Sequence, residues 1–250
     1  MSKRSKILGS YSSFKPQNKI KAKTGLFFKL VLSFFLIYQF ISFFIISSFV
    51  VNTSAMEPGI LKGDKIVSAP IISGSYINLF RVKMPGFKEP ERGDLFLIKP
   101  GNAPQIKWYY QILDPVIRFF TFQKISISPD RNQNWNNKLS VKRIIGIPGD
   151  SLKMVNNKFL IKQKGETGYS LEEYLIEKEY QLTLPQNITG VDSSFPFLGT
   201  MDEITLSKSQ YFVANDNRSI SYDSRLYGPI PRENIVAPVI LSYWPNFKFK

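Results

Sequence analysis

Leu30 to Val51 is a run of 22 residues without a charge, and it constrains this 250-residue chain more than any other feature. Its only polar members are Ser33, Tyr38, Gln39, Ser42, Ser47 and Ser48. A helix of that length spans roughly 33 Å at about 1.5 Å per residue, enough to cross a bilayer core. Residues 1–29 ahead of it carry eight Lys and Arg and no acid. Loops rich in Lys and Arg stay on the cytoplasmic side, so 1–29 is expected in the cytoplasm and 52–250 outside. Anionic lipid is a sufficient partner for the basic block. A nucleic-acid arm is the sharper alternative, and no nucleic acid is assigned here. A cleaved signal peptide is the competing reading, with Thr53-Ser54-Ala55 as its cleavage site. The run exceeds the ~7–15 apolar residues of such peptides, so a retained single-pass anchor in the cell membrane is expected.

Composition narrows the chemistry. The chain has no His and no Cys. That removes a Ser-His-Asp triad, a thiol nucleophile and zinc sites built from imidazole or thiolate. It also leaves the redox compartment unreadable. A 43% hydrophobic content with 21 Phe and 12 Tyr supports a packed core.

After the span the pattern is mainly β. Lys65–Val67, Leu95–Ile98, Val141–Ile145, Gln210–Ala214 and Ile235–Tyr243 are short β-branched or apolar runs, most of them bounded by turn residues. Ser151–Val155 and Lys158–Ile161 flank Asn156-Asn157, a hairpin signal. The expected fold is one transmembrane helix followed by a domain of coiled, antiparallel β-sheet over 52–250. Two insertions are expected, 100–140 and 163–206. The first holds a helix broken at Pro115, lying on the membrane or serving as a lid, and a loop at Ser128–Lys138. The second is Glu-rich and reads as a peripheral excursion with a short helix.

Four segments carry more than a β domain needs: Asn52–Ile60 with Lys62-Gly63-Asp64, Arg92–Lys99, Lys142–Asp150 and Asn215–Arg225. In this order, behind an apolar span, they resemble the boxes of bacterial type I signal peptidases. The resemblance covers the span and most of 52–236, but neither insertion. It implies a Ser/Lys endopeptidase that removes signal peptides from preproteins, with no cofactor and no metal. Membrane lipid and the protein-translocation machinery are the further partners considered. Lys142 matches the family's general base. A lone Lys in a strand is otherwise a solvated edge charge; burial among Val141, Ile144 and Ile145 would instead disfavour the ammonium. Ser221 matches the serine that orients that base, and Thr53 the oxyanion-hole hydroxyl. Met56, Ile144 and Ile145 match pocket walls, with plain core packing as the alternative. Asp216, Arg218, Asp223 and Arg225 read as ion pairs bracing their loop, and Asn217 as a partner for backbone groups there.

The sequence departs from the family at the nucleophile, where Ala55 stands in place of Ser. Asn215 replaces a Gly of the fourth box, and Gly59 a Thr of the first. Three readings of Ala55 follow: a family member that binds signal-peptide regions or a partner peptidase without cutting, a displaced nucleophile at Ser54, or an introduced change. If the segment is extended, neighbouring side chains face opposite ways, so Ser54 would point away from Lys142 unless the chain bulges.

Overall fold

The computed structural model describes residues 17–41, 45–74, 76–77, 82–83, 86–99, 107–121, 125, 127, 139–185 and 199–250. The expected loop at 128–138 lies outside them, as do residues 186–198 of the second insertion. The chain divides into two compact units, residues 1–39 and 40–250.

In the first unit the main element is helix α1, which runs Gln17–Phe40 into the start of the second. Its stretch Lys23–Phe40 is long and apolar enough to cross a membrane, by length and composition. The helix therefore starts earlier and stops earlier than the uncharged run. Ser47–Val50 at the end of that run form strand β1, not helix. The reason is pairing: β1 lies antiparallel to β2 (Lys65–Ser68), Val50 opposite Lys65, and Ser48 Oγ bonds Tyr243 Oη at 2.8 Å.

The second unit is antiparallel β throughout its main sheets, as the alternating runs predict. Strands β3 (Tyr76–Ile77) and β4 (Val82–Lys83) make a small ribbon. The large sheet has the order β1-β2-β13-β5-β6-β11-β12, with β14 on β13. Its remaining strands are β5 (Leu95–Ile98), β6 (Ser140–Gly146), β11 (Gln210–Ala214), β12 (Ile230–Pro231), β13 (Ile235–Trp244) and β14 (Lys248–Phe249). Four register shifts within its ladders bend this sheet. A second sheet has the order β10-β7-β8-β9, built from β7 (Ser151–Val155), β8 (Lys158–Lys162), β9 (Ser170–Leu171) and β10 (Met201–Thr205). Asn156 and Asn157 join β7 to β8 at φ of 50° and 63°. Positive φ at both central residues is what a type I′ turn requires, and Asn tolerates it.

Strand β6 is buried along nearly its whole length, because three apolar clusters surround it. One holds Met56, Ile60, Leu97 and Val141; a second, Phe96, Ile144, Tyr211 and Val213; a third, Ile145, Leu152, Phe159 and Phe212. Gly146 closes the strand where a Cβ would lie 2.7 Å from Leu152 Cδ1 and 2.8 Å from Leu206 Cδ1, so close packing excludes a side chain.

The insertions differ from expectation in two ways. Helix α3 (Trp108–Phe120) continues through Pro115 and is capped by Thr121 Oγ1, which bonds the Ile117 carbonyl at 2.7 Å. Its Asp114 is buried and accepts the Ile127 amide at 2.8 Å. The second insertion is not peripheral. It supplies β9 and β10 to the second sheet, with a short helix α4 at Glu172–Leu175, and buries Ile176 and Leu206 in the third cluster. Among the described residues, two further four-residue α-helices are α2 (Pro70–Ser73) and α5 (Ser224–Tyr227).

Candidate active site

The four sequence boxes are bonded to one another. Arg92 of the second donates from Nη2 to Asp150 Oδ2 of the third at 2.6 Å. Arg143 of the third donates from Nη1 to the Gly93 carbonyl at 2.7 Å, and from Nε and Nη2 to the Asp216 carboxylate at 2.7 and 2.6 Å. This two-pronged contact uses the planar guanidinium fork. Asn217 of the fourth box closes the circuit. Its backbone N–H donates to Ala55 O at 3.0 Å and its Nδ2 to Ser54 O at 3.2 Å. Asn217 thus partners backbone groups, as expected. The expected ion pairs also form, some with distant partners: Arg143–Asp216, Arg218–Glu172 and Arg225–Asp223.

Lys142 sits on β6 opposite Phe96 of β5 and is 2% exposed. Its Nζ donates to Asn215 Oδ1 at 2.6 Å and to the Tyr222 carbonyl at 2.7 Å, and lies 5.8 Å from the Tyr222 ring centre. Among the described residues no carboxylate bonds it. Burial lowers its pKa from 10.5 to about 8; Asp223 pulls upward and Arg225 downward, both more weakly. The solvated edge charge is therefore not what this strand holds. Asn215 is fully buried. It donates from Nδ2 to Ile220 O at 2.6 Å and from its backbone to Asp223 Oδ2 at 2.9 Å.

Several expected site residues sit differently. Among the described residues no bond joins Lys142 Nζ to Ser221, whose carbonyl accepts the Asp223 N–H at 2.8 Å. Asn215 and Tyr222 hold the amine instead. In the sequence Asn215 stands out only as a departure from a Gly; in the structure it directly follows β11, whose Ala214 pairs with Arg143, and this brings its amide to Lys142. Met56, Ile144 and Ile145 are at most 1% exposed and belong to the three different clusters, so they pack as core and do not form one wall.

The first box is a turn, which removes the premise of an extended segment. Glu57 N–H bonds Ser54 O at 3.3 Å and Ile60 N–H bonds Met56 O at 2.9 Å. Strict alternation of faces does not apply to a turn, so it no longer argues against Ser54. Ala55 is 3% exposed, while Thr53 and Ser54 are half-buried. No bond joins the Lys142 amine to residues 53–56 among the described residues. The link runs through the backbone: the amine is tied to Asn215 and the first box to Asn217, two residues apart and so at most about 7.6 Å between Cα atoms. A cavity of about 420 Å³ lies on the Arg143 side, lined among others by Gly59, Ile60, Arg143, Tyr180, Asp216 and Lys250. Lys142 does not line it, consistent with alternation along β6.

Among the described residues, no group of His, Cys, Asp and Glu could hold a metal ion. Fold and site define a class: a β-rich domain, preceded in sequence by an apolar helix, whose centre is a buried amine held by neutral acceptors. The chain belongs to the signal peptidase family, peptidase S26, whose sequence profile matches residues 25–244. A protein of Rickettsia bellii (strain OSU 85-389) named Signal peptidase I is 27% identical over 217 residues, covering 77% of this chain and 64% of that protein. The Signal peptidase I of Rickettsia prowazekii (strain Madrid E) is 27% identical over 218 residues, covering 77% and 70%. Signal peptidase I V of Bacillus subtilis (strain 168) is 31% identical over 104 residues, covering 42% and 57%. The chain thus spans just under two thirds of the length of the Rickettsia bellii protein.

Proposed function

We propose that the chain is a membrane-anchored endopeptidase of the signal-peptide-removing type, using Lys142 as general base. The observation that carries this is the Lys142 amine: buried, bonded by two neutral acceptors, and with a pKa of about 8. A neutral amine can take a hydroxyl proton; an ordinary surface ammonium cannot. The base would deprotonate a serine, an acyl-enzyme would form, and the same amine would then activate water. Family membership supports preproteins as substrates, bound as an added strand with small side chains before the cut. Thr53 is the oxyanion-hole candidate, and Ser221 remains the family's candidate for orienting the amine. The anchor is α1, with its basic N-terminal flank in the cytoplasm and residues 52–250 outside. Lipid contact by the β unit is supported by exposed Val50, Trp244, Phe247 and Phe249, beside Lys65 and Lys248.

The nucleophile decides between two readings. Ser54 is a half-buried hydroxyl in the turn that Asn217 holds, which favours a displaced nucleophile. Ala55 is a buried methyl at the family's nucleophile position, which favours a non-cutting relative that holds signal-peptide regions or a partner peptidase. Four proteins tested on a preprotein separate them: native, Ala55→Ser, Ser54→Ala and Lys142→Ala. Cleavage by the native chain is expected to be absent or weak. Ala55→Ser should raise it by roughly 10²-fold or more, since losing a nucleophile costs up to ~10⁶ in rate. Any activity should rise with pH through about 8, as the amine loses its proton, and vanish in Lys142→Ala. Efficient native cleavage that survives Ser54→Ala would sink both the displaced-nucleophile and the non-cutting reading.

A further inference from the structure

We propose that Asn215 is the positioning residue of the Lys142 amine: its amide fixes where the nitrogen sits and which way its lone pair faces. The inference rests on the reading of Lys142 as a base. It concerns a side chain that the family pattern, with Gly at this place, does not supply.

A neutral amine has two N–H bonds and one lone pair. Asn215 Oδ1 at 2.6 Å and the Tyr222 carbonyl at 2.7 Å accept both N–H bonds. The lone pair is then the one valence left, and the two acceptors set its direction. Asn215 can do this because it is itself immobilised. Its Nδ2 is bound to Ile220 O and its backbone N–H to Asp223 Oδ2. Arg225 braces the same carbonyl and carboxylate, with Nη2 at 2.5 Å from Ile220 O and 2.8 Å from Asp223 Oδ2. The orientation of the amide is chemically forced. The reverse would set an NH₂ against the amine and an oxygen against a carbonyl oxygen.

The charged groups acting on the amine are Asp223, which favours the ammonium, and Arg225, which opposes it; desolvation exceeds both. The Tyr222 ring faces the amine, and Tyr227, stacked edge-on to it at 5.8 Å, is held protonated by burial. Onto this background Asn215 adds a neutral acceptor. An acceptor bonds the ammonium more strongly than the amine, so removing it lowers the pKa, and a carboxylate in its place raises it.

The test is an NMR titration of isotope-labelled lysines in the full chain in detergent micelles, with Lys142→Met identifying the signal. Native Lys142 should titrate near pH 8. Asn215→Asp, which keeps the shape, should move the midpoint up by about one unit or more; Asn215→Leu should move it down by about one unit. In an Ala55→Ser background that cleaves, the rising limb of the pH–kcat/KM profile should move with the midpoint, a shift that a purely structural residue would not produce. Midpoints of both variants within about 0.3 unit of native, with circular dichroism intact, overturn the proposal. If Asn215→Leu does not fold, Asn215→Asp decides alone. The titration needs no cleavage, so a non-cutting chain leaves it decisive. A native midpoint near 10.5 would defeat the base reading, while the shifts between variants would still judge Asn215.

Discussion

Lys142 and Arg218 are the two largest fully buried cations of the β unit, and they are held in opposite ways. Arg218 donates from Nη2 to Glu172 Oε2 at 2.6 Å, both side chains wholly buried, and stacks 4.6 Å from the centre of the Phe159 ring. Among the described residues, Lys142 bonds an amide and a carbonyl and no carboxylate. A guanidinium stays charged in any protein, so its burial demands a counter-ion. An amine has a second option, to give up its proton, and neutral partners leave that option open. Burial alone therefore does not mark a reactive group; the kind of partner does.

The comparison breaks most easily at the ion pair. Glu172→Gln leaves the Arg218 charge in the core, where its Nε and Nη1 already lack an acceptor among the described residues. The expected loss is about 3–5 kcal/mol of stability, seen as a large drop in Tm. Replacing both partners together, Glu172→Leu with Arg218→Met, should recover most of it, because the cost belongs to the orphaned charge. A drop under about 1 kcal/mol for Glu172→Gln would mean that the charge finds water, and the contrast with Lys142 would fail.

Lys142 predicts a different signature, one written in pH. Its folded pKa is depressed to about 8 from 10.5, so between those values the unfolded chain binds more protons. Stability from this residue is fully present above 10.5 and is lost as pH falls through 8. Relative to Lys142→Met, the native chain should gain up to about 3 kcal/mol between pH 8 and 10.5. Denaturant titrations at several pH values check this; parallel curves for the two proteins would show an ordinary, solvated lysine.

The sequence announced the elements and the motifs but not the partners. Alternation and turn residues give β5, β6, β11 and the Asn156-Asn157 hairpin, because those signals are local. The end of α1 was misplaced, because Ser47–Val50 is as apolar as a helix continuation and becomes a strand only by pairing with β2. Glu172 belongs to the Glu-rich second insertion, which reads in sequence as a peripheral excursion. Nothing nearby in sequence says that its carboxylate serves Arg218, 46 residues on. Likewise Ala55 and Ser54 read as extended until Asn217, 163 residues from Ser54, is seen to hold the turn. The roles of Lys142 and of the braced fourth box came from the order of motifs. The amine's actual neighbour, Asn215, was visible only as a mismatch.

Asn217→Ala gives the smallest effect and the finest test. The side chain donates to Ser54 O and accepts the Ser219 N–H, both at 3.2 Å, while its backbone bond to Ala55 O survives truncation. Two long neutral hydrogen bonds are worth about 1 kcal/mol together, so the expected change is a small fall in Tm. Because Asn217 bonds the first box and Asn215 bonds the amine, the Lys142 midpoint should stay at its native value. A midpoint that moves as far as in the Asn215 variants would mean that the loop sets the amine's surroundings as a unit. The acceptor touching the nitrogen would then lose its special place, and the distinction between a buried base and a buried brace would lie in the whole fourth box.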